Sequence, residues 1–275
     1  MADEATHCWV MVLDIEDFSS RTDPVQRSLR TAMYDVLREA LERAGLAGER
    51  IDVEDRGDGV LMIVPGTVPP VDLAGKFVRA LDDELRQKAV VFSAEHAMRF
   101  RVALHQGLAS RDGRGWSGDA VNTACRLVDA PPLRQVLVAA DGARMVFVVS
   151  AEIHRAVVRH GHRAVDPAAY LPMPFTTKHG ETIDSWVTVP GYPAPPGLGP
   201  AAGPRAAGPG PGGAAPAPTG AAAPPPGRGG LSIGTVQNGN VVGNVEGDFV
   251  AGDKVTGDKY GPGARRTGDE GRVRP

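Results

Sequence analysis

Between Pro193 and Gly230 the chain is written almost wholly in Pro, Gly and Ala, with Leu198, Arg205, Thr219 and Arg228 as the exceptions. Such a stretch has almost no apolar surface to bury, so it cannot offset the entropy of ordering itself, and it reads as a disordered linker. It divides the 275 residues into four parts: a globular segment over 1–190, the linker over 191–230, a glycine-spaced tail over 231–260 and a disordered C-terminus over 261–275. Only the first part has the length and apolar content for a sizeable core.

Charge and cysteine usage narrow the setting. A formal net charge of −3 offers no basic field for nucleic acid or for an acidic membrane surface. The two cysteines, Cys8 and Cys125, form no disulfide framework and suit a reducing compartment. The opening "MADEATH" lacks the basic and apolar regions of a signal peptide. No apolar run approaches the roughly 20 residues of a membrane helix. The expectation is a soluble cytoplasmic protein with neither nucleic acid nor membrane as a partner.

Within the first segment, "CWVMVL" (8–13) is the continuous apolar run of a strand buried on both faces. The stretch 22–45 predicts a helix, with Asp23 as its cap, Pro24 in the first turn and Gly45 at its end. Strands follow around 50–54 and 60–64, joined by "DRGDG", then a helix over about 73–91. "MRFRVALHQG" (98–107) alternates like a strand. A glycine-rich loop leads from it to a helix near 120–128, then to strand "RMVFVVS", a helix capped by Ser150 and closed by Gly161, and a last strand in "DSWVTVPG". The order βαββαβ with additions predicts an α+β fold, one sheet with helices on one face.

Three stretches carry chemistry: "LDIEDFS" (13–19), "EDRGDG" (54–59) and "GDAVNTACRL" (118–127). Asp14 closes a buried strand and Asp58 sits in a hairpin. If the two strands pair, two carboxylates meet that repel unless a divalent cation neutralises them. Asn122 and Arg126 are four apart, on one helix face. Taken singly, each has a blander reading: a hairpin turn, a strand-end acid, a solvated helix face. "GRGWSG" (113–118) matches G-x-G-x-x-G but lies in no βαβ unit, so it reads as a flexible loop and not as a dinucleotide fingerprint. His105 reads as a satisfied core histidine, and His154, His160 and His162 lack zinc-site spacing.

Taken in order, D-I-x-x-F-S (14–19), G-D (57–58), R-x-x-x-H-x-G (101–107) and G-x-x-V-N-x-A-x-R-L (118–127) resemble the class III nucleotidyl cyclase homology domain of adenylyl and guanylyl cyclases over about residues 7–190. The resemblance implies a ferredoxin-like core working as a head-to-tail homodimer. It implies Asp14 and Asp58, with the Ile15 carbonyl, as ligands of two Mg2+ or Mn2+ ions per site. It implies Asn122 on the ribose and Arg126 on the phosphate being substituted, as a nucleoside triphosphate closes to a 3′,5′-cyclic nucleotide and releases pyrophosphate. Glu54 stands where adenylyl cyclases carry lysine and guanylyl cyclases resemble it, and Gly115 occupies the partner position of the base pocket. GTP is the first expectation, UTP or CTP the second. A module of a different class, sensing a nucleotide without turnover, is the alternative.

The tail repeats glycine at 234, 239, 243, 247, 252 and 257, with Val and Phe between. Short β-prone steps separated by glycine turns suit a small solenoid or stacking between chains. The tail resembles the amyloid signalling motifs of some bacterial defence and effector proteins, which implies recruitment of an effector protein in signalling or antiphage defence.

Overall fold

The computed structural model describes residues 4–198. Most of the expected linker, the glycine-spaced tail and the C-terminus lie outside the described residues. Elements follow in the order β1 (Thr6–Ile15), α1 (Asp23–Arg43), β2 (Asp52–Asp55), β3 (Gly59–Pro65), α2 (Val78–Val91), β4 (Phe100–Asp112), β5 (Gly115–Ser117), α3 (Asp119–Val128), α4 (Pro131–Ala139), β6 (Met145–Ser150) and α5 (Ala151–Ala156). Four short strands finish the domain: β7 (Leu171–Pro172), β8 (Phe175–Thr176), β9 (Thr182–Ile183) and β10 (Ser185–Thr188).

The main sheet runs β2-β3-β1-β4-β6-β10-β7. Its neighbours are antiparallel except β4 and β6, which run parallel. A parallel step cannot be closed by a tight turn, and α3 and α4 supply the crossover between those strands. They also correct the expectation of helices on one face. Alternate residues of β1 and β3 are apolar on both sides, so both sides need cover. Met11, Leu13, Val60 and Met62 pack with Leu29, Met33 and Val36 of α1, Leu81 of α2 and Ile153 of α5. Val10, Val12, Leu61 and Ile63 pack with Val121, Ala124 and Leu127 of α3 and with Leu133 and Val136 of α4. The fold is a mixed α+β domain with three layers.

Several local expectations shift. Thr22, not Asp23, occupies the extended position before α1, and Asp23 is its first residue, where a carboxylate meets the positive end of the helix dipole. A π-helical stretch, Asp72–Phe77, precedes α2. The predicted loop after β4 is a hairpin, with Ser110, Arg111 and Asp112 paired to Ser117, Trp116 and Gly115. The helix predicted through His160 stops at Ala156 and continues as a 3-10 turn, Val158–His160. Ser150 does cap it, accepting from the Ile153 N–H at 3.4 Å. His105 is buried, yet its Nδ1 has no hydrogen-bond partner; Glu152 stands 3.8 Å away, beyond hydrogen-bond reach. Folded structure also runs past residue 190. Tyr192 and Leu198 pack against the α3/α4 side of the core, and the Tyr192 hydroxyl accepts from the Gly142 N–H at 3.2 Å.

Candidate active site

The register of β1 brings the acids together. Asp14 lies opposite Gly59 on β3 and opposite Arg101 on β4. The Ile15 N–H donates to the Asp58 carbonyl at 2.9 Å, so the hairpin is stitched to the end of β1. A side chain at Gly59 would run into the Leu13 carbonyl oxygen; only glycine lets the two backbones approach this closely. The turn is held from outside as well. Arg30 of α1 reaches both Asp55 carboxylate oxygens and the Gly57 carbonyl, the Tyr34 hydroxyl donates to Asp55 at 2.8 Å, and the Gly57 N–H donates back to it at 2.7 Å. The Arg30 bond, with these others, draws the Asp55 carboxyl down to about 2.

Asp14 is 8% exposed. Its Oδ2 accepts from both Nε (2.9 Å) and Nη2 of Arg101, while its Oδ1 is buried without any hydrogen-bond partner. Burial pushes the Asp14 carboxyl up, the Arg101 guanidinium opposes that, and the nearby Asp58 charge adds to the rise. A buried carboxylate oxygen with no donor is an unmet electrostatic demand, and a cation beside Asp58 would meet it. Among the described residues no group of three or more His, Cys, Asp or Glu side chains is placed to hold a metal. Asp14 and Asp58 are the acids that could hold a hard cation there, and its remaining ligands would have to come from backbone, substrate or water oxygens.

Strand alternation places Asp14 and Arg101 on the α3/α4 side of the sheet. On α3, Asn122 is exposed and Arg126 is partly so. Arg126 donates to Glu181 at 2.8 Å, an acid just before β9. It lines a groove of about 470 Å3 with Arg134, Phe175, Lys178 and His179. Among the described residues no hydrogen bond or ion pair joins Asn122 or Arg126 to Asp14 or Asp58.

Glu54 and Gly115, far apart in sequence, meet. A Cβ at Gly115 would lie 2.7 Å from Glu54 Oε1, and the backbone there has φ +135, a conformation that glycine alone adopts readily. Glu54 Oε1 accepts from the Trp116 N–H at 2.8 Å, and Oε2 pairs with Arg56 at 3.1 Å. The Trp116 ring N–H donates to Asp52 at 3.2 Å. Sequence reasoning singled out Asp14, Asp58, Glu54 and Arg126 and missed the residues that hold them or their turn: Arg101 on Asp14, Arg30 and Asp55 at the turn before Asp58, Trp116 on Glu54 and Glu181 on Arg126. Arg101 alone carried a signal, since it opens the R-x-x-x-H-x-G stretch.

No family model matches the chain, and no curated protein does. Among solved structures, an adenylate/guanylate cyclase/hydrolase from Silicibacter pomeroyi is similar over 69% of this chain and 99% of its own, at 17% identity and a TM-score of 0.49. The guanylate cyclase domain of RhGC from Catenaria anguillulae, solved in complex with GTP, covers 68% of this chain and 98% of its own at 18% identity and a TM-score of 0.46. For the guanylyl cyclase domain of the RhoGC fusion protein from the aquatic fungus Blastocladiella emersonii the figures are 68%, 96%, 18% and 0.45. At such identity and similarity, the case for a function rests on the side chains themselves.

Proposed function

We propose that the chain is a nucleotidyl cyclase that closes a nucleoside triphosphate, GTP first, to its 3′,5′-cyclic nucleotide and pyrophosphate. The observation that carries the reading is Asp14 Oδ1, buried and unpartnered beside Asp58 at the end of β1. Support comes from the antiparallel order β2-β3-β1-β4, which suits a ferredoxin-like βαββαβ core, and from the close approach of Glu54 to Gly115.

Asp14, Asp58 and the Ile15 carbonyl would hold Mg2+ or Mn2+. Bound there, the metal acidifies the ribose 3′-hydroxyl and offsets triphosphate charge. Asn122 orients the ribose through its amide. Arg126 donates N–H groups to the phosphate oxygens on which negative charge grows during attack, where a fixed donor contributes most. It must first exchange Glu181 for substrate. Glu54 keeps free lone pairs to accept from guanine N1–H and the 2-amino group. A head-to-tail dimer would supply the acids from one protomer and Asn122 and Arg126 from the other.

The test is incubation of the purified protein with each of the four nucleoside triphosphates and Mg2+ or Mn2+, with products read by mass spectrometry. Cyclic product from wild type and none from Asp58→Ala is the expected result. Absence of cyclic product with every nucleotide and both metals overturns the reading. Nucleotide binding without turnover would then point to a sensing module, a second reading favoured by the engagement of Glu54 and Arg126 inside the chain.

A further inference from the structure

The π-helical stretch and α2 pack on the α1 side of the sheet, through Leu73, Phe77, Val78 and Leu81, across from α3 with its Asn122 and Arg126. Between them and the turn at 162–165 runs a groove of about 480 Å3, lined by Lys76, Arg79, His162 and Arg163. Asp72 is the one acid among its described lining residues, and it pairs with Lys76 at 2.8 Å. Arg79 and Arg163 are exposed and make no hydrogen bond or ion pair among the described residues. Three fixed cations against one acid leave a local charge of +2 in a chain of net charge −3. Gathered cations repel one another, and a multiply charged anion is what would relieve them. A second compartment, of about 250 Å3, adjoins the groove, with Arg79 and Ala164 in the wall of both. Val78, Tyr170 and Val189 give it apolar walls. Asp82 lines it too: Oδ2 pairs with Arg86 at 2.8 Å, and Oδ1 is buried without a hydrogen-bond partner. An acceptor left without a donor at a cavity wall suits a ligand N–H. The walls are held in place from both sides. A Cβ at Gly75 would stand 3.2 Å from the Ala164 Cβ, so glycine lets the turn sit close against the π-helical stretch. Ala164 has φ +78, which a non-glycine residue adopts at a cost. The bond from the Val165 N–H to the His162 carbonyl, at 2.8 Å, closes that turn and keeps Arg163 at the groove.

We propose that the two hollows form a second binding site, for a nucleoside diphosphate or a ligand of that chemistry. The phosphates lie in the basic groove, and a flat ring with N–H donors lies in the compartment beside it. Arginine forks match phosphate oxygens two at a time, and a diphosphate carries the multiple negative charge that a single carboxylate lacks. The site is on the other side of the sheet from Asp14 and Arg126, and it stands whether or not the chain is a cyclase.

The experiment is isothermal titration of the full chain with inorganic pyrophosphate and with ADP, in EDTA so that no divalent cation supports binding elsewhere. Wild type should bind each probe, ADP more tightly by about threefold or more, because its ring buries apolar surface. The double variant Arg79→Gln/Arg163→Gln should weaken both probes by about tenfold or more, since two charges and their forks are gone. Ala169→Leu, which fills the apolar compartment, should abolish the advantage of ADP and leave pyrophosphate unchanged, a split that general destabilisation would not produce. Arg126→Ala should bind both probes as wild type does. Circular dichroism checks the folding of each variant. A wild type that binds neither probe overturns the inference, as does a folded double variant that binds as tightly as wild type. Binding lost in Arg126→Ala and kept in the double variant also overturns it, by placing the anion on the α3 side. Equal affinity of wild type for the two probes overturns the ring compartment. None of these outcomes touches the cyclase reading, whose test is turnover with metal.

Discussion

Exchanging Glu54 for lysine is the direct way to ask whether it reads the base, but the structure predicts that this substitution does a second thing. Glu54 Oε1 is the acceptor for the Trp116 N–H at 2.8 Å, and the Glu54 side chain is 27% exposed. Lysine has no acceptor to offer, so the Trp116 amide loses its partner and a second cation is placed against Arg56. A hydrogen bond to a charged group contributes about 1.5–3 kcal/mol, and the Arg56 pair, with Arg56 44% exposed, adds little. Partial solvation of the site favours the lower half of that range, about 2 kcal/mol. For a domain of this size that corresponds to a fall in Tm of about 4–8 °C. Glu54→Gln keeps an oxygen for the amide and should lie within about 1 kcal/mol of wild type. The assay is urea unfolding of the three proteins, followed by tryptophan fluorescence, before any nucleotide is added. Glu54→Lys as stable as wild type would refute the reasoning, because the bond that anchors the β4–β5 hairpin over Glu54 would then be dispensable. Glu54→Gln is the variant with which base preference is fairly compared.

The proposed composite site makes its own prediction: Asp58→Ala and Arg126→Ala proteins should each be inactive and should recover about a quarter of wild-type activity when mixed and allowed to exchange, since half of such dimers would be mixed and each would have one intact site. Confirmed exchange with no recovery would put each site within a single chain. A pH dependence follows from Asp55, whose carboxyl is held at about 2 against an ordinary 3.8. A lowered folded-state value means that its stabilisation is complete above about pH 4 and is lost as pH falls toward 2. The stability gap between wild type and Asp55→Asn should therefore narrow across that interval in urea unfolding. A gap unchanged between about pH 5 and pH 2.5 would remove Asp55 from the hairpin anchor.

How much was legible follows from how local each signal was. The run from Cys8 to Leu13 and the 22–45 helix carry their own periodicity, and both appear within a few residues of where they were expected. The α4 helix was missed although Pro131 in its first turn and Leu133, Val136 and Leu137 on one face were readable signals. The apolar run of β1 signalled a second covered face, but what covers it, the α3/α4 crossover, follows from the parallel β4–β6 step, which depends on pairing between distant strands. The approach of Asp14 to Asp58 across β1 and β3 was legible because their motifs are short and contiguous. Arg30 and Trp116 were not, since each acts across the fold, on Asp55 and on Glu54, at sequence separations of 25 and 62.

The packing of Tyr192 and Leu198 bears on how this protein should be handled. Arg86 donates to the Pro190 carbonyl at 3.3 Å, and its guanidinium lies against Gly191, while Tyr192 reaches back to the turn between α4 and β6. A protein truncated at residue 190, where composition invites the cut, would bare the apolar surface beneath those side chains and leave the Gly142 amide without its acceptor. Such a fragment would be prone to clump in storage, and any defect it showed could be mistaken for a role of the missing tail. A truncation placed after Leu198 keeps the seam closed and separates the two questions.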